Sequence, residues 1–344
     1  MSAPARFSGR LRAYLLFVAA LLYFFVARSV ARRVALGIAG DAWLPLVEQA
    51  ALVLLLLLGY GAMGFWIDRQ VDPVSEQGLP RRSGWPREAA LGLATGWGLA
   101  VVCALALAAA GGIAIFLSGE RSNWGWLLAG AAYFALAALG EEIAFRGYGF
   151  QSFVRAVGPL GASLGFAAIY AIVQQLAPGS SHASFAAAAA FTLLLSAAYL
   201  RTRALWLSWG INFGWKASRA LLFGLAVNGV TTHSRLVQGD PMGPFWLTGG
   251  GFGLDGSWLA FVVLLAALPV VFRITRELDY RYNAPVIVPG GIPVDLDAAA
   301  RAQHEAAMGP AAPAAPQIVQ IAPVSPAPSS PAADAPPERA ANRS

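Results

Sequence analysis

The feature that most constrains this chain is a succession of long apolar runs, separated by short arginine-bearing segments, that fills residues 13–282. A run of about 20 apolar residues crosses the ~30 Å hydrocarbon core of a bilayer only as a helix, because its backbone N–H and C=O groups must then bond within the segment. Such runs are predicted at about 13–27, 44–66, 89–117, 124–139, 160–176, 184–200, 204–227 and 258–272. Only 12% of the residues are charged and 57% are hydrophobic, whereas roughly a quarter of a soluble domain is charged. The expected fold class is therefore all-α, a polytopic transmembrane helical bundle of about eight helices.

Arg6, Arg10 and Arg12 precede the first run, which would suit a signal peptide. Arg28, Arg32 and Arg33 follow it in place of a small-residue cleavage site, so it reads as a retained helix. An even number of crossings puts both termini on one side. That side holds Arg6, Arg10, Arg12, Arg69, Arg81, Arg82, Arg87, Arg155, Arg201, Arg203, Arg273, Arg276 and Arg281. Arginine in short loops favours the cytoplasmic face, so both termini of a cell-membrane protein are expected there; the opposite side keeps Arg28, Arg32, Arg33, Arg121 and Arg235, the first three forming a dissenting cluster. The organisation expected is a cytoplasmic N-terminus (1–12), a membrane domain (13–282) and a disordered Ala/Pro-rich tail (283–344), which has too few large apolar residues to fold.

The net charge of +6 does not imply nucleic acid, because the arginines flank apolar runs instead of forming one aromatic-interleaved patch. The lipid bilayer is the partner that composition demands, with a membrane peptide or protein as a further partner. Cys103 is the single cysteine, which leaves neither a disulfide nor a cysteine-based zinc site.

Ionisable residues inside apolar runs are costly, about 2.5–3.5 kcal/mol at mid-bilayer, and usually face a cavity or a partner. The first set is Glu141, Glu142 and Arg146 in GEEIAFRG, directly after AAYFALAAL. On a continuous helix Glu142 and Arg146 share a face and can pair. Glu141 is rotated by about 100° and is free to act as a general base toward water. The plainer alternative is an interfacial helix end with solvated charges. The second is Lys216, the only lysine, which shares a helical stripe with Asn212. Glu141 is its nominated acceptor, and the alternative is that Lys216 and Arg219 mark an interface and reach the headgroups. Tyr170 and Gln174 form a third stripe, suited to cavity lining or to plain interhelical hydrogen bonding.

EEIAFRG resembles the EExxxR motif of the CAAX protease and bacteriocin-processing (CPBP, or Abi) family of intramembrane proteases. FAAIY and LWLSWGINFGWK stand where that family has its FxxxH and GxHxxxN motifs. The resemblance covers a core at about 124–223. It implies an intramembrane endopeptidase fold in which Glu141 would be the base, supported by Glu142 and Arg146. It also implies zinc or a directly activated water at two histidines. This chain departs there, with Tyr170 and Asn212 at the histidine positions and Lys216 at the following asparagine. Tyrosine and asparagine are poor zinc ligands, so no cofactor and no protein metal site are expected. Of the histidines, His182 and His233 are loop residues near the membrane domain and His304 is in the tail.

The resulting expectation is a weakly active or inactive homologue that binds or assists a membrane partner, with an ion pair between Glu141 and Lys216 in place of the catalytic centre. The alternative is an active endopeptidase that processes prenylated or peptide substrates with Glu141. A third reading, ion or proton transport, draws on the same charges but lacks an inverted repeat.

Overall fold

The computed structural model describes residues 3–117, 124–230 and 237–278, with side chains from residue 9 onward. The tail at 283–344, with His304, and the loop carrying His233 lie outside the described residues. Among the described residues, eleven α-helices follow one another. They are α1 (Ala3–Ile38), α2 (Leu44–Ile67), α3 (Pro73–Glu76), α4 (Trp85–Ala109), α5 (Trp124–Arg146), α6 (Tyr148–Val157), α7 (Pro159–Gln175), α8 (His182–Thr202), α9 (Leu205–Ala217), α10 (Phe245–Thr248) and α11 (Trp258–Ile274). Strands β1 (Ile113–Leu117) and β2 (Val237–Pro241) pair antiparallel as a small ribbon outside the bundle.

The helix starts follow from local chemistry. Proline stands at the first or second helical position of α2, α4 and α7, where its missing N–H costs nothing. Ser181 and Ser184 form a reciprocal cap on α8, and Ser257 accepts from the Ala260 N–H to cap α11.

Each of the eight predicted runs is helical over most of its length, and the chain is a polytopic helical membrane protein. Among the described residues, five segments are long and apolar enough to cross a membrane: Gly9–Ile38, Leu44–Ile67, Trp85–Ala109, Trp124–Val157 and His182–Thr202. The other predicted runs form the shorter helices α7, α9 and α11, of 17, 13 and 17 residues.

Two boundaries differ from expectation. The run at 89–117 leaves the helix after Ala109, where Gly111 takes a positive φ of 65°, and its apolar end becomes β1. The run at 204–227 stops being α-helical at Ala217 and passes through a π-helical turn, Ser218–Leu222. Apolar composition cannot distinguish these endings from helix, since a short Val/Ile/Phe run satisfies either pattern.

The loops sort into two ends. At one end Asp68 bonds both Arg12 and Arg155, at 3.3 and 2.9 Å. There Arg82 pairs with Glu88 and reaches the Thr202 carbonyl, and Arg201 reaches the Phe272 carbonyl. These contacts join arginines that the sequence count assigns to one side. At the other end lie the β1–β2 ribbon, the Arg32–Glu48 pair and a Ser181 bond to the Gly256 carbonyl.

Buried apolar side chains form two main clusters. One joins α4, α8, α9 and α11 around Leu107, Leu194, Ile211 and Trp215. The other joins α1, α2, α5, α6 and α7 around Leu56, Tyr60, Ile143 and Phe150. Helices α4 and α9 meet through glycines. A side chain at Gly92 or Gly96 would strike the α9 backbone at Leu207 or Ile211, and one at Gly210 or Gly214 would strike Ala89 or Leu93 of α4. This is small-residue packing on both partners, which brings the two backbones into direct contact. On its other side α9 meets α5, and the charged residues lie there.

Candidate functional site

The charged centre is built on α5. Its Ala- and Leu-rich run continues without a break through Glu141 and Glu142 to Arg146. Helix α6 follows from Gly147, where a Cβ would strike the Ile143 carbonyl. The glycine after the arginine is therefore required by the tight α5–α6 junction.

Glu142 is fully buried. Its Oε1 accepts from Arg146 Nη1 at 3.1 Å, and Arg146 Nη2 donates to the Thr192 carbonyl of α8 at 3.2 Å. The pairing expected from the four-residue spacing is present, and it fastens α5 to α8.

Helix α9 brings the second half of the site. Trp206 Nε1 donates to the Pro80 carbonyl and Trp209 Nε1 to the Ala135 carbonyl, both at 2.9 Å, which fixes the helix against α5. Asn212 Nδ2 then donates to Glu141 Oε2 at 3.0 Å and to Glu142 Oε1 at 2.9 Å. A carboxylate accepts only, so the amide must present its NH2 to the pair. One turn later Lys216 Nζ donates to both oxygens of Glu141. The Lys216 side chain is 6% exposed and that of Glu141 31%. Glu141 is thus the one member of the centre that also meets open space.

That space is a cavity of about 470 Å³ bounded by α1, α2, α5 and α7. Phe17, Phe24, Phe145, Phe166 and Ile169 supply its apolar wall, and Glu141, Tyr170, Gln174 and Asn228 its polar one. Tyr170 therefore faces the same space as Glu141 but makes no hydrogen bond to the centre. Its ring packs edge-on against Phe145 at 5.4 Å. Gln174 Nε2 donates to Asn228 Oδ1 at 2.6 Å and so ties α7 to the segment after the π turn. His182 begins α8 and is not among the residues that line the cavity.

The alternative in which Lys216 and Arg219 reach the headgroups is not met, because both are buried against carboxylates. Arg219, fully buried in the π turn, pairs through Nη1 with Asp255 Oδ2 at 2.7 Å. Its guanidinium lies 4.3 Å from the Trp215 ring centroid, and Trp215 Nε1 donates to Asp255 Oδ1 at 3.3 Å. Trp215 and Arg219 are four apart, a visible signal, but the carboxylate comes from a distant glycine-rich segment, GGGFGLDGSW.

The class defined by this arrangement is a multi-pass membrane protein with two adjacent glutamates at a helix–helix junction that opens on an apolar cavity. Residues 123–218 match the family model described as type II CAAX prenyl endopeptidase Rce1-like. The matched segment contains Glu141, Glu142, Arg146, Tyr170, Asn212 and Lys216. No curated protein and no solved structure matches the chain.

Proposed function

We propose that this CPBP-family membrane protein is a hydrolytically silent homologue that uses its cavity to bind a membrane-embedded ligand. The observation that carries the reading is the state of Glu141. A general base must present a free lone pair to the water it activates. Here one oxygen accepts from both Asn212 and Lys216 and the other from Lys216. Lys216 and Asn212 thus fill three of the carboxylate's four acceptor positions.

The donor set also argues against a metal. Zinc takes neutral imidazole, thiolate or carboxylate ligands, usually four in a structural site and three in a catalytic one. Around Glu141 stand an amide NH2 and an ammonium, both of which repel a cation. Among the described residues no three of His, Cys, Asp and Glu cluster. Tyr170 and Asn212, at the positions of the family histidines, do not make up the difference. The excess of arginine on the side of Arg12, Arg155 and Arg201 supports cytoplasmic termini in the cell membrane.

A second reading, an active endopeptidase, draws on one observation: Glu141 lines the cavity and remains partly exposed. Peptidase assays on the purified full-length protein with a membrane-peptide library separate the two. The parent is expected to be inert. Restoring the family's residues by Tyr170→His, Asn212→His and Lys216→Asn together is expected to create activity that a further Glu141→Gln removes. Activity in the parent that is lost in Glu141→Gln would overturn the proposal.

A further inference from the structure

The polar groups around the cavity divide into those already committed and those still available. Glu141 is held by Lys216 and Asn212, Gln174 and Asn228 bond each other, and the Tyr60 hydroxyl donates to the Ala20 carbonyl. Arg28, Gln49 and the Tyr170 hydroxyl line the same cavity and make no hydrogen bond or ion pair among the described residues. The uncommitted set therefore contains a guanidinium with five N–H donors, an amide and a hydroxyl, and no carboxylate. A ligand that satisfies it carries acceptors and negative charge.

The rest of the lining fixes the other end of the ligand. Phe17, Leu21, Phe24 and Phe25 are on the same helix as Arg28, and Phe166 and Ile169 face them from α7. From Arg28 to Phe17 is eleven residues, about 16 Å along a helix at 1.5 Å per residue. The volume of about 470 Å³ falls within the roughly 300–1,000 Å³ of small-ligand sites. Phe25 and Val173 line the cavity and are also largely exposed, on α1 and α7, so that an apolar chain reaches it between those helices.

We infer that the cavity binds a single-chain lipid with an anionic head, the head at Arg28 and the chain along α1 toward Phe17 and Phe166. The inference rests on the reading of the cavity as a binding site, and it holds whether or not Glu141 is silent. Its chemistry is shared by fatty carboxylates and lysophospholipid phosphates. A guanidinium bonds either in bidentate fashion, whereas an amine head meets the like charge of Arg28, the neutral acceptors of Gln49 and Tyr170, and a Glu141 carboxylate already held by Lys216 and Asn212.

The test is displacement of a fluorescent fatty acid from the full-length protein in detergent. The competitors are oleate, oleoyl lysophosphatidate, mono-oleoylglycerol and oleylamine. Oleate, lysophosphatidate or both should compete at least tenfold better than the neutral and cationic chains, and which of the two competes identifies the head. Arg28 is exposed, so Arg28→Gln should leave the fold intact while abolishing that preference. Ala144→Phe, which places a ring in the cavity, should weaken all four chains together. Equal competition by all heads, or a preference unchanged in Arg28→Gln, would overturn the inference. The peptidase assay is read separately, so an active parent would refute the silent-enzyme proposal and leave this one standing.

Discussion

Helix α9 is used in two opposite ways. Gly210 and Gly214 face α4, while Asn212 and Lys216 face α5, and an offset of two residues at 100° each sets the stripes about 200° apart. On the glycine side backbone meets backbone and no volume is left. On the polar side the contacts are directed hydrogen bonds, and beyond them lies the cavity. The first region fixes how far apart the helices are. The second carries the charged centre while the first holds the frame.

The largest effect should come from breaking the glycine side. In Gly96→Leu the new side chain would meet the Ile211 carbonyl and the Trp215 N–H, which are backbone atoms of a packed helix. Overpacking ordinarily costs about 1–3 kcal/mol, and here no side chain can move aside. The variant is expected to lose its cooperative thermal transition and its monodisperse elution. Gly98→Leu, two residues away in open space, should behave like the parent. If both variants fold normally, the seam is not what holds α4 to α9.

The next effects compare the two ion pairs of the charged centre. Arg146→Met leaves Glu142 fully buried without its cation, and breaking such a pair costs about 3–5 kcal/mol. Lys216→Met leaves Glu141, which keeps the Asn212 bond and borders the cavity, so the loss should be smaller, about 1–2 kcal/mol. Removing both charges with Glu141→Gln and Lys216→Met should return stability to within about 1 kcal/mol of the parent, since a neutral replacement of an ion pair is often tolerated. Denaturant titration of the three variants decides it. A loss in Lys216→Met equal to that in Arg146→Met would mean that the Glu141 pair is as structural as its neighbour.

Much of this centre was legible in the sequence because helical spacing is arithmetic. Glu142 and Arg146 share a face whatever surrounds them, and the only lysine in an apolar run must find an acceptor. The pairing of Arg219 with Asp255 was not legible, because the two stand far apart in sequence on different elements and no single helical or strand periodicity links them. The ends of the third and seventh runs were hidden for another reason. Ile113–Leu117 is as apolar as the helix before it, and a π turn differs from an α turn in hydrogen bonding, not composition. The cavity could not be read at all, since it is what four helices leave unfilled.

The smallest expected effect gives the finest comparison. Gly140→Ala and Gly92→Ala are the same change at two helical sites, and each gains about 1 kcal/mol in helix propensity. That common gain cancels when the two are compared, leaving packing alone. At Gly140, on the wall of the cavity, the new methyl would approach Val53 at 3.4 Å, an ordinary contact. At Gly92 it would run into the Leu207 carbonyl and the Gly210 backbone. Thermal melts should place Gly140→Ala above the parent by up to about 1 kcal/mol, with Gly92→Ala well below. Equal melting temperatures would mean that α4 and α9 can separate enough to admit a methyl group, and that the glycine seam is no less tolerant than the α2–α5 wall of the cavity.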